Sequence, residues 1–98
     1  MSYAVIWSAN EQPDCTGGLV LTSDEIRLSG ADACCALRYD DLVDVYIERS
    51  APAKHSWEPA LVLVTCDGER VAVGCLEGLG ALHELAERVA AIRMRDAA

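Results

Sequence analysis

The sequence predicts a mainly β fold of about seven antiparallel strands, covered by one C-terminal helix. Two observations carry this prediction. Between residues 3 and 75, short apolar runs rich in strand-forming residues recur with turn residues between them. From residue 77 to residue 94, apolar residues instead recur at three- and four-residue steps, which is the period of a helix that packs one face against a core.

The strands are predicted from alternation and from the turn residues that separate them. Asn10 to Gly18 gathers Asn, Pro, Asp, Thr and two glycines, so it is predicted as a loop. Ser50 to Pro59 is predicted as a second loop because two prolines and the lack of an apolar period allow little else. The predicted strands are 3–9, 18–22, 25–29, 33–39, 42–49, 60–66 and 69–75.

The fifth predicted strand has the cleanest alternation. Val43, Val45 and Ile47 alternate with Asp44, Tyr46 and Glu48. Such a pattern predicts a sheet with one face against the core and the other in water.

The turn at Asp67-Gly68 admits two registers for its hairpin. In a two-residue turn, Cys66 pairs with Glu69, and the two valines of the preceding strand face the core. In a three-residue turn with Gly68 in the left-handed conformation, Thr65 pairs with Glu69, and the two leucines of that strand face the core instead. We favour the three-residue turn because it buries the leucines.

One helix is predicted at 77–94. Its start is poorly marked, because Gly78 and Gly80 weaken the first turn and no capping residue precedes it. The predicted apolar face consists of Leu79, Leu82, Leu85, Ala86, Val89 and Ile92.

Composition restricts the function classes. The 98 residues predict a single domain, with eight basic and sixteen acidic side chains and a formal charge of −8. This charge argues against nucleic acid as a partner and disfavours an anionic membrane. The chain lacks an apolar run of about 18 residues, and residues 1–6 lack the features of a secretory signal, so a cytoplasmic location is expected.

Catalytic and metal-binding patterns are absent from the sequence. The five cysteines include no Cys-x-x-Cys spacing, so small buried side chains are expected in place of a disulfide framework or a zinc site. His83 and Glu84 are adjacent on the predicted helix and point about 100° apart, which argues against an acid–base pair. We therefore predict no enzyme activity, no catalytic or metal-ligating residue and no cofactor.

The order of seven short strands and a terminal helix resembles the pleckstrin-homology-like superfamily, in its small, bacterial-type single-domain form. The segments that carry the resemblance are Gly18-Leu19-Val20-Leu21, Ile26-Arg27-Leu28, Leu37 to Leu42, Val45 to Arg49, Leu61 to Val64, Asp67-Gly68-Glu69 and Leu79 to Ile92. The resemblance implies a partly open barrel that the helix caps. Lipid-binding members place basic residues around the first hairpin, but the loop Asn10 to Gly17 has none, so no lipid-phosphate site is predicted.

Four residues are predicted to contact a partner: Tyr46, Glu48, His55 and Trp57. Aromatic side chains anchor many interfaces, although Trp57 packed under its own loop is the alternative. The resulting hypothesis is a protein–protein interaction or self-assembly module that binds a protein partner or a second copy. Docking would use an exposed strand edge or the groove beside the helix. The alternative is a lipid or small apolar ligand at the open barrel end.

Overall fold

A computed structural model describes residues 2–9, 13–31, 33–48 and 59–97, with side chains to residue 94. It confirms the predicted fold class, with seven antiparallel strands in a half-barrel and one C-terminal helix. The elements are β1 (Ser2–Ala9), β2 (Cys15–Leu21), β3 (Glu25–Gly30), β4 (Cys34–Arg38), a 3₁₀ turn (Tyr39–Asp41), β5 (Leu42–Glu48), β6 (Ala60–Thr65), β7 (Arg70–Cys75) and α1 (Leu79–Ala97).

The strands follow the order β4-β3-β2-β1-β7-β6-β5 in one sheet. Sequential strands are neighbours except for β4 and β5, which lie at opposite ends of the order, and the pairing of β1 with β7 joins the two halves. Within the described residues, β4 pairs only with β3 and β5 only with β6, so the two ends of the sheet leave the barrel open. Helix α1 packs against the 3₁₀ turn, β5, β6 and β7.

The core lies between the inner face of the curled sheet and α1. Leu82, Leu85 and Val89 of the helix are at most 2 % exposed, which confirms the predicted three- and four-residue spacing. Leu79 was predicted on the same face and is 49 % exposed, because α1 begins at this residue, two positions later than expected. The sheet contributes Tyr3, Val5, Trp7, Leu19, Ile26, Leu28, Leu37, Leu61, Leu63, Val71 and Val73.

The hairpin between β6 and β7 has the favoured three-residue turn. The Thr65 N–H donates to the Glu69 carbonyl oxygen at 2.9 Å, and Leu63 pairs with Val71. Gly68 has a φ of +89°, a conformation that L side chains rarely adopt. The two leucines of β6 therefore face the core, as predicted.

The predicted loop Asn10 to Gly18 is wrong in its second half, because β2 begins at Cys15. Cys15 pairs with Trp7 of β1, and Gly17 pairs with Gly30 of β3, so this segment is hydrogen-bonded between two neighbours. Of the two glycines that suggested a loop, Gly17 serves a close approach of β2 to β3.

The alternation predicted for β5 is broken at its start. The register shifts between Leu42 and Asp44, which makes Val43 the extra residue of a bulge and leaves it 58 % exposed. Leu42 takes the core position in its place and is 6 % exposed.

Tyr39, predicted at the end of the fourth strand, instead lies in the 3₁₀ turn, where its buried hydroxyl donates to the Thr22 carbonyl oxygen at 3.0 Å.

The expectation of one wet face does not extend to β6, which is buried on both sides. Ala60 and Val62 point away from Leu61 and Leu63, yet each is 3 % exposed.

No helix in the described ranges is long and apolar enough to cross a membrane.

Candidate interaction surfaces

The structure describes two of the four predicted partner-binding residues, and both lie on β5. Tyr46 and Glu48 are half-buried, and Tyr46 pairs with Val62 of β6. Arg70 Nη2 donates to the Tyr46 hydroxyl, which holds the phenol ring along the outer face of the sheet. His55 and Trp57 lie outside the described residues, so their predicted role stays a prediction.

The β5 edge is the first candidate surface, and we define it as the side of β5 (Leu42–Glu48) that faces away from β6. No described strand pairs with this side. An edge strand carries a row of backbone donors and acceptors that an extended segment can join. Near its start, Arg93 Nη2 donates to the Leu42 carbonyl oxygen at 3.5 Å, so the last turns of α1 flank this edge. Exposed Val43 offers an apolar contact beside it.

The second candidate surface is an open pocket of about 190 Å³ where β7 passes into α1, and we call it the corner pocket. Its apolar lining includes Ile6, Gly74, Cys75, Leu76, Leu79 and Leu82.

A tight connection shapes the corner pocket. The Leu76 N–H donates to the Ala4 carbonyl oxygen at 2.9 Å, which extends the β1–β7 pairing by one residue. The Gly78 N–H then donates to the Cys75 carbonyl oxygen at 3.2 Å, and Gly78 adopts a φ of +111° before the helix begins. This turn separates the end of the sheet from the first turn of α1, and the pocket lies between them.

The corner pocket is apolar and chemically inert. Leu76 is 58 % exposed and Leu79 is 49 % exposed, although both line a concave surface. Burial, with a smaller contribution from Glu77, raises the pKa of the Cys75 thiol to about 11. The thiol therefore stays protonated at neutral pH and is a poor nucleophile.

A polar cluster ties β1 to the middle of α1. The Tyr3 hydroxyl donates to Glu84 Oε1 at 3.1 Å, and Arg88 Nε donates to the same oxygen at 3.2 Å. Burial and then the Glu84 carboxylate raise the pKa of the Tyr3 hydroxyl, which favours the neutral phenol. This arrangement positions the helix on the sheet and offers no reactive group.

Acidic, cysteine and histidine side chains do not gather into a metal site. Among the residues that the structure describes, no group of three or more such side chains could hold a metal ion.

The comparisons with known proteins show a fold likeness without a family. A scan against models of protein families and a search of curated proteins both gave no match. Among solved structures, the chain is similar to the C-terminal domain of an unknown protein from Leishmania infantum, with a TM-score of 0.68 and 17 % sequence identity. The match covers 91 % of this chain and 81 % of that chain. At this identity the likeness shows the fold alone, and the half-barrel with its terminal helix is pleckstrin-homology-like in general shape.

Sequence reasoning missed the exposed apolar residues that define both surfaces. Val43 was assigned to the core by alternation, and Leu79 by helical spacing. Leu76 fell in the connection between the predicted strand and helix, and a leucine in such a short polar turn is the one signal that could have identified the pocket.

Proposed function

We propose that this chain is a non-catalytic protein–protein interaction or self-assembly module of the pleckstrin-homology-like superfamily, and that the β5 edge accepts an extended segment of its partner. The position of β5 supports this proposal: it ends the strand order and, in the described part of the chain, pairs with β6 alone.

The β5 edge supplies the kind of affinity that strand addition uses. Backbone groups of an incoming segment pair with those of β5, and side chains beside the edge select the sequence. Tyr46 and Glu48 lie on the outer face, where they would contact alternate side chains of that segment. The formal charge of −8 favours a basic segment.

Binding of a lipid or small apolar ligand at the open barrel end is the alternative. Small-molecule sites usually occupy about 300–1,000 Å³. The corner pocket, at the connection of β7 to α1, has about 190 Å³ and is smaller than this range.

The first experiment measures the solution mass of the reduced protein by light scattering at several concentrations, for the wild type and two lysine variants. Val43→Lys places a charge at the β5 edge, where pairing would have to desolvate it. Val20→Lys is the matched control because Val20 is 41 % exposed on β2, which has neighbours on both sides.

If the wild type self-associates, Val43→Lys should weaken association at least about tenfold, equivalent to about 1.4 kcal/mol, whereas Val20→Lys should not. If the wild type is a monomer, both variants are compared in pull-downs from cell lysate. Partners of the β5 edge should be retained by the wild type and Val20→Lys and lost from Val43→Lys. Equal behaviour of the two variants in both assays would contradict docking at β5.

A further inference from the structure

The corner pocket is an apolar concavity with exposed leucines on its rim, and it lies apart from the β5 edge. From Leu79 at the pocket to Arg93 near β5, α1 rises by about 21 Å, at about 1.5 Å per residue. An inference about this pocket therefore does not depend on the docking proposed for β5.

The size of the pocket restricts its occupant. A cavity of about 150 Å³ lined by aliphatic side chains holds one benzene molecule. The corner pocket, at about 190 Å³, is therefore large enough for one leucine, methionine or phenylalanine side chain and too small for a lipid chain. Burying such a side chain would also cover part of Leu76 and Leu79, which now face water.

The charge around the pocket restricts its occupant further. None of the described lining residues is basic. Glu77 lies in the chain between Leu76 and Gly78, which both line the pocket, so its charge lies beside the pocket. With Glu77 beside the pocket and a formal charge of −8 on the chain, a basic segment would be attracted to the pocket more strongly than the acidic surface of a second copy.

We propose that the corner pocket binds a basic segment of another protein by taking up one apolar side chain, with Leu76 and Leu79 closing over that side chain and Glu77 facing the flanking positive charges. The two leucines supply contact area, and the Glu77 carboxylate selects a basic segment over an acidic one.

The test uses a short peptide in which one leucine is flanked on both sides by lysines. Two matched peptides replace the leucine by serine or the lysines by glutamates. Binding is followed by amide chemical shifts of the isotope-labelled protein, which detect dissociation constants up to about 1 mM. The protein variants are Leu76→Asp and Leu79→Asp, and both positions are exposed enough to accept a charge without loss of the fold. Met94→Asp is the control because Met94 is 75 % exposed at the far end of α1.

We expect the leucine–lysine peptide to shift the amides of residues 74–82. The serine peptide should bind at least about tenfold more weakly, since it forfeits the burial of one leucine. The glutamate peptide should also bind more weakly, and the difference between the two charged peptides should shrink as salt rises. Leu76→Asp and Leu79→Asp should each lose binding of the leucine–lysine peptide at least about tenfold, and Met94→Asp should not.

Three results would overturn the proposal. The first is no shift at millimolar leucine–lysine peptide. The second is equal affinity for the leucine and serine peptides, or equal affinity of the wild type and Leu76→Asp. The third is a wild-type dimer that Leu76→Asp dissociates, which would make a second copy the occupant. The first two results leave the Val43→Lys comparison at the β5 edge unaffected, so the two proposals fail separately there. After the third result, a dimer that Val43→Lys leaves intact would contradict docking at β5 as well.

Discussion

Replacing Gly17 by alanine should destabilise the protein far more than the same replacement at the neighbouring Gly18. A Cβ atom on Gly17 would lie 1.8 Å from the Ser29 carbonyl oxygen of β3. A Cβ atom on Gly18 would lie 3.6 Å from the nearest atom, the Ser29 hydroxyl oxygen, at an ordinary contact distance. The two glycines are adjacent in β2 and both lie between β1 and β3, so Gly18 is a matched control for Gly17.

The expected magnitude follows from this overlap. To relieve it, β2 and β3 must separate by about 1.6 Å, which exceeds the tolerance of hydrogen bonds of about 2.7–3.2 Å. Two lost ladder bonds at about 0.5–1.5 kcal/mol each, with about 1 kcal/mol or more of residual strain, give a loss of about 2–4 kcal/mol. For a domain of this size, that lowers Tm by roughly 10–25 °C. Gly18→Ala should instead be neutral, or stabilise by up to about 1 kcal/mol, because alanine has less freedom to lose on folding.

The measurement is urea and thermal unfolding of the wild type and both variants, followed by circular dichroism under reducing conditions. The linear dependence of unfolding free energy on urea gives the two changes directly. If Gly17→Ala and Gly18→Ala differ by less than about 0.5 kcal/mol, a value typical of surface substitutions, the close approach of β2 to β3 is wrong.

Three further predictions concern the core, the thiols and a buried hydroxyl. Leu85→Ala should cost about 2–5 kcal/mol of unfolding free energy, and Leu79→Ala less than about 1 kcal/mol, because the first side chain is 0 % and the second 49 % exposed; equal losses in urea unfolding would contradict the helix orientation. Stability should fall as pH rises from about 9 to about 11, since burial raises the pKa of the Cys75 thiol from 9.0 to about 11 and the unfolded chain therefore releases this proton first. Cys75→Ala should make the fall of unfolding free energy with pH less steep, and an unchanged slope would show that the Cys75 thiol does not cause it. Tyr39→Phe should cost about 1 kcal/mol, because it removes the hydrogen bond to the Thr22 carbonyl oxygen; an unchanged urea midpoint would exclude that bond.

The register of the β6–β7 hairpin could be predicted from sequence because local and non-local preferences agree there. Gly68 accepts the positive φ of the turn, and the same register buries Leu61 and Leu63. The core face of α1 could be predicted for a similar reason, since the spacing of its apolar residues reflects the packing of one helix face against the sheet. Where one pattern satisfies both the turn and the core, the sequence leaves few alternatives.

The first half of β2 could not be predicted because its structure depends on partners that are distant in sequence. Gly17 and Gly18 have weak strand preference by themselves, but β1 and β3 pair with them from both sides. The bulge at Val43 could not be predicted because the local alternation fits a regular strand. Only the pairing of β5 with β6 shows that one residue of β5 has no partner there.

The corner pocket escapes sequence analysis because one glycine both obscures the helix start and opens the pocket. Glycine is unfavourable inside a helix, so Gly78 leaves the start of α1 poorly marked in the sequence. The helical spacing nevertheless assigns Leu79 to the core. In the structure, the positive φ of Gly78 turns the chain before the helix begins. The helix begins only after this turn, and Leu76 and Leu79 lie at the rim of the pocket while Leu82, 2 % exposed, lines its inner part. The glycine that weakens the helix signal in the sequence is therefore also the residue at which the chain turns beside this pocket.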